Sequence, residues 1–197
     1  MLRSQVTIVA GALALFVAAP RIAVPEPLQS GPQAGDKPQP FTSNMVTGPH
    51  RGQQYCYVCE LKDEPALLVF ARGTDAATGR LLRALQAALQ ERRGEKLFGW
   101  VVFLGKDDTP SETALERQAY DLARRNEATN VVVSALGDLE GPPGYRIAPD
   151  AAATVILFRS GKILYNRAYR AREWTPRTAE TALKEPLRMV GSPAPAQ

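Results

Sequence analysis

Cys56-Tyr57-Val58-Cys59-Glu60-Leu61-Lys62-Asp63-Glu64-Pro65-Ala66-Leu67-Leu68-Val69-Phe70 holds both cysteines of the 197-residue chain and runs straight into an unbroken apolar stretch. Residues 66–72 read as a strand covered on both faces, because a strand with one wet face would alternate apolar and polar residues. A Cys-x-x-Cys pair beside a strand-helix-strand pattern points to thiol-disulfide chemistry. Residues 60–64 alone separate the second cysteine from Pro65, too short a span for a helix with a useful dipole.

Outward from that strand the pattern is regular. Thr74 and Asp75 are N-cap candidates for a helix running to about Arg92, with Leu81, Leu82, Leu85, Ala88 and Leu89 as its core stripe and Gly94 as its end. Residues 98–104 form a second buried strand. Thr109-Pro110-Ser111-Glu112 reads as a capping box that opens a helix carrying Leu115, Ala119, Leu122 and Ala123 on one face. A third strand is expected at 130–135 and a fourth at 154–158, the latter turning at Arg159-Ser160-Gly161 into a hairpin partner at 162–168. Between them, Gly141-Pro142-Pro143-Gly144 makes the loop 136–150 irregular. Thr175-Pro176 starts a last helix, with Ala179, Ala182 and Leu183 inward and Pro186 as its break. With a short leading strand within 41–46, the order predicts an α/β three-layer sandwich, a central mixed sheet with helices on both faces.

The ends read differently. Residues 1–5 carry one positive charge and lead into fourteen uncharged residues, 6–19, the pattern of an export signal and short for a membrane span. Small residues at 17–19 suit cleavage, whereas Pro20 after the cut does not, so an uncleaved N-terminal anchor is the alternative. Residues 20–40 are proline-rich and expected as a linker, 41–190 as the folded domain, and 191–197 as a loose tail. Export places the protein in the periplasm or outside the cell, where close cysteines are commonly joined.

Composition narrows the function classes. Apolar content of 45% and charged content of 22% are those of a globular protein. The net charge of +4 comes from interleaved signs, and no basic-aromatic repeat offers a nucleic-acid groove. With one histidine and no Gly-x-Ser-x-Gly elbow there is little basis for a hydrolase, and no glycine loop suggests a phosphate or nucleotide cofactor.

The element order resembles the thioredoxin-like superfamily, in particular its redoxin and peroxiredoxin branch. Gly35-Asp36-x-x-x-Pro40-Phe41 is similar to the opening motif of that branch, Ala66-Leu67-Leu68-Val69-Phe70-Ala71 to its first core strand, and residues 154–162 to its late strand and glycine turn. The resemblance implies a redox active site just after the first core strand, faced by a cis-proline before the late strand. This chain departs at both places. Residues 71–78 contain no cysteine, and the cis-proline position falls on Ala153. The actual pair precedes its strand.

Three uses of Cys56 and Cys59 follow. As a structural disulfide they close a small loop ahead of the core, in a non-catalytic interaction protein. As a cycling pair they exchange with thiols or disulfides of exported proteins, Cys56 attacking and Cys59 resolving by analogy with the family's order. As metal ligands they join His50 in a His-x5-Cys-x2-Cys set, one short of a closed zinc site and compatible with copper(I).

Overall fold

The computed structural model describes residues 26–105 and 111–191. The export segment 1–19, the linker residues 20–25 and the tail 192–197 lie outside the described residues.

The sheet is built from β1 (Ser43–Met45), β2 (Gln54–Tyr55), β3 (Ala66–Ala71), β4 (Phe98–Leu104), β5 (Val132–Leu136), β6 (Ala151–Arg159) and β7 (Lys162–Arg170). They lie in the order β2-β1-β5-β4-β3-β6-β7. The central trio β5, β4 and β3 is parallel, joined by helical crossovers, while β6 and β7 add antiparallel strands on one side and β1 and β2 on the other. All six residues of β3 are buried, as its continuous apolar run requires. The β6–β7 hairpin turns at Ser160 and Gly161, both with positive φ (50° and 67°), the handedness that matches strand twist in two-residue hairpins.

Alternation along the strands sends side chains to two separate cores. Leu67, Val69, Val101, Phe103, Val133, Val155 and Leu157 face a layer of helices: α2 (Ala76–Glu91), α3 (Glu112–Arg125), α4 (Pro176–Thr181) and α5 (Lys184–Val190). Leu68, Phe70, Trp100, Val102, Ile156 and Phe158 face the other side. That side is closed by Phe41, by Tyr145 and Ile147 of the irregular loop, and by Tyr57 of the single turn α1 (Tyr57–Glu60). The sheet is thus covered on both faces, with nearly all the helical mass on one.

Several boundaries differ from the sequence expectation. Asp75 caps α2 as expected, its side chain accepting from the Thr78 N–H. The N-cap of α3 is Ser111, which accepts from the Ala114 N–H, rather than Thr109; Thr109 and Pro110 lie outside the described residues. The last helix is two helices, and Pro186 sits within the first turn of α5, where its missing N–H costs no intrahelical bond. Residues 26–40, read as linker, have no regular structure but lie against β6 and β7. Ser30 is buried and bonds Thr154 and the Ala148 N–H, the Gly35 N–H donates to Ile163, and Tyr145 donates to the Gln39 carbonyl.

Candidate functional site

Two regions of the sheet matter for function, the turn that carries the cysteines after β2 and the loop that follows β3. Ahead of the cysteines, β1 turns through two left-handed glycines, Gly48 and Gly52, into the two-residue edge strand β2. Tyr55 ends β2, and Cys56 is the N-cap of α1. Cys56 and Cys59 form a disulfide across that turn, and the Cys59 N–H donates to Cys56 Sγ at 3.2 Å. The turn is short because Leu61 leaves the helical region and the chain then runs to Pro65, whose carbonyl bonds the Phe98 N–H at the start of β4.

An aromatic cluster holds this turn. Tyr57 is buried with its ring 4.6 Å from Phe98 and 5.6 Å from Trp100, centroid to centroid. Tyr55 crosses Tyr57 edge-on at 4.9 Å and donates its hydroxyl to Glu60 at 2.9 Å. That hydrogen bond raises the Tyr55 pKa above its ordinary 10.0, with burial and the Glu60 charge adding to it. Burial pushes Tyr57 up to about 12, helped by the Glu60 charge and by Tyr55. The Tyr57 hydroxyl is buried with no hydrogen-bond partner.

The cysteines themselves are not buried. Cys59 is exposed, as are Glu60, Lys62, Asp63 and Glu64 after it, while Cys56 is partly covered. His50 stacks flat on Tyr55 at 3.5 Å. Among the described residues no group of three or more His, Cys, Asp or Glu side chains is placed to hold a metal ion.

The second region is the loop after β3, where the resemblance implies the redox site. It holds no cysteine. Arg72 fills the position after Ala71, buried, donating to the carbonyls of Gly105 (3.3 Å), Ile147 and Ala148 (both 3.4 Å). Ala71 is the register partner of Ala153, and no cis peptide bond occurs among the described residues. Arg72, Asp75, Pro149, Arg170 and Trp174 border an open cavity of about 1030 Å³ there. The cysteine turn packs on Phe98 and Trp100 through Tyr57, whereas the loop after β3 is held at Gly105, Ile147 and Ala148 through Arg72.

Sequence reasoning found both cysteines and the absence of a cysteine at 71–78, and missed that Tyr57 packs on Phe98 and Trp100 of β4. Tyr57 carried the available signal, an aromatic between two cysteines with Phe98 and Trp100 alternating on one strand face.

No protein-family model matches the chain, and no curated protein does. Solved structures do. An uncharacterized conserved protein from Geobacillus kaustophilus superposes with a TM-score of 0.61 at 14% identity, covering 83% of this chain and 86% of that one. Peroxidoxin BcpB from Mycobacterium tuberculosis gives 0.56 at 13% identity, covering 83% and 99%. A protein described as a thiol:disulfide interchange protein DsbE, from Chlorobium tepidum, gives 0.53 at 16% identity, covering 80% and 98%. At these identities the likeness establishes the fold: this chain has the thioredoxin-like fold that its element order resembles.

Proposed function

We propose that this thioredoxin-like chain is an exported thiol-disulfide oxidoreductase that works through Cys56 and Cys59, away from the site its fold usually uses. The observation that carries the proposal is the exposure of Cys59 within the disulfide. Disulfides open to solvent are the labile ones, whereas a purely structural bond is typically shielded and strongly reducing in potential. The naming of one similar structure as a thiol:disulfide interchange protein supports the same chemistry, and the signal-like residues 1–19 support export.

The reaction is a two-electron exchange. A thiolate of a partner protein attacks one sulfur of the pair, the Cys56–Cys59 bond breaks, and the other sulfur leaves as a thiolate. A second partner thiolate then attacks the mixed disulfide, so the partner gains a disulfide and this chain becomes a dithiol. The reverse sequence reduces a partner disulfide. The chain's own residues supply access to the pair and a backbone N–H for one thiolate.

The test is disulfide exchange by the purified full chain with a reduced, unfolded thiol protein, alongside Cys56→Ser and Cys59→Ser. Loss of partner thiols with matching reduction of the chain, abolished in both variants, is the expected result. An inert wild-type disulfide would leave the second reading, a non-catalytic interaction protein. The cavity beside the loop after β3 favours that alternative, because it offers an open surface that includes Leu139, an exposed large apolar residue.

A further inference from the structure

The two sulfurs of the pair are not equivalent, and their difference runs against the family's order. Resting on the exchange activity proposed above, we propose that Cys59 is the sulfur that meets the partner and carries the mixed disulfide, and that Cys56 is the leaving and resolving sulfur.

Access comes first. Exchange requires the attacking thiolate to approach in line with the sulfur-sulfur bond, so the reachable sulfur is attacked. Cys59 is exposed and opens onto an exposed stretch, whereas Cys56 is partly covered and lies between the partly covered Tyr55 and the buried Tyr57. The aromatic contacts of Tyr55 and Tyr57 with His50, Phe98 and Trp100 hold the Cys56 side against the sheet.

Leaving-group chemistry points the same way. Cys56 Sγ accepts the Cys59 N–H at 3.2 Å, and a hydrogen bond to a sulfur favours its thiolate form. Among the described residues no hydrogen bond ends on Cys59 Sγ. Exchange is faster when the departing sulfur is the better thiolate. Attack at Cys59 releases the stabilised sulfur; attack at Cys56 would release the unstabilised one.

The electron balance is that of simple exchange. The partner thiolate forms a bond to Cys59 Sγ, the Cys56–Cys59 bond breaks, and its electron pair leaves with Cys56 Sγ. In the reducing direction the Cys59 thiolate attacks a partner disulfide, one partner sulfur departs as thiolate, and the Cys56 thiolate then displaces the other from Cys59.

The experiment uses the oxidised full chain with glutathione as the probe. Early time points are quenched in acid, free thiols are alkylated with N-ethylmaleimide, and the tryptic peptide 52–62 is sequenced by tandem mass spectrometry. The expected result is glutathione on Cys59 and maleimide on Cys56, in roughly tenfold excess over the opposite arrangement. Glutathione mainly on Cys56 overturns this assignment and leaves the exchange activity standing. A disulfide that stays intact with no adduct overturns the exchange activity itself, and the assignment with it.

Discussion

Tyr57 meets Phe98 with ring centroids 4.6 Å apart, and through this contact the residue between the two cysteines is part of the core of the sheet. Its ring contributes burial and aromatic packing, while its hydroxyl is desolvated without a partner. Tyr57→Phe is therefore expected to hold or raise stability, by up to about 1 kcal/mol, since it removes only the unpaired group. Tyr57→Ala is expected to cost about 3–5 kcal/mol, like other aromatic truncations in a core. Denaturant unfolding of both variants measures the difference, and a large loss in Tyr57→Phe would refute the unpaired hydroxyl.

Alkaline pH should weaken the fold through the same residue. In the unfolded chain Tyr57 ionises near 10.0, whereas in the folded protein burial holds it protonated to about 12. Above pH 10 the unfolded state has therefore released a proton that the folded state keeps, so stability falls as pH rises. Tyr57 contributes its full share below pH 10 and loses it progressively from there through about 12. Burial raises Tyr145, Tyr165 and Tyr169 as well, and they act in the same direction. Thermal midpoints at pH 9 and pH 11 should differ in that sense, with a smaller difference in Tyr57→Phe.

Reducing the disulfide should leave the domain folded. The bond joins residues three apart, and closing so small a loop is worth only about 2 kcal/mol in the chain-entropy account. Both cores are assembled from strands and helices elsewhere in the chain. Unfolding curves with and without dithiothreitol should show a modest shift of one cooperative transition. Unfolding at room temperature on reduction would instead identify a structural staple.

The end of β4 should be separable from the cysteines. A Cβ added at Gly105 would stand 2.5 Å from the Gly137 carbonyl oxygen, a backbone atom that cannot swing aside. Gly105→Ala is expected to cost about 1–3 kcal/mol by forcing β4 and the segment after β5 apart. Because that clash does not involve the aromatic contacts that hold the cysteine turn, the rate at which glutathione opens Cys56–Cys59 should not change. A large rate change would mean that the two regions are coupled.

How much of this was legible beforehand depended on how local the cause was. Continuous apolar runs located β3, β4 and β6, since burial on both faces writes itself directly into composition. The helical stripe of Leu81, Leu82, Leu85, Ala88 and Leu89 was equally clear, and all five are buried. The turn α1 left no such trace. It has four residues, too few for periodicity, and it forms because Tyr57 is drawn onto Phe98 and Trp100 from a distant part of the chain. The packed stretch from Ser30 to Asp36 was hidden for the same reason. Its hydrogen bonds go to Thr154, Asn166 and Ile163, more than a hundred residues away. The cysteines were visible as a pair, whereas their unequal exposure is a product of that tertiary packing.

The exchange activity has its most direct measurement in the reduction potential of Cys56–Cys59, determined by equilibrating the full chain with glutathione buffers and counting free thiols. An exchanging pair exposed at the surface is expected to titrate within the range of thiol-disulfide enzymes, roughly −120 to −270 mV. A potential below about −300 mV would contradict the account and make the bond a structural one.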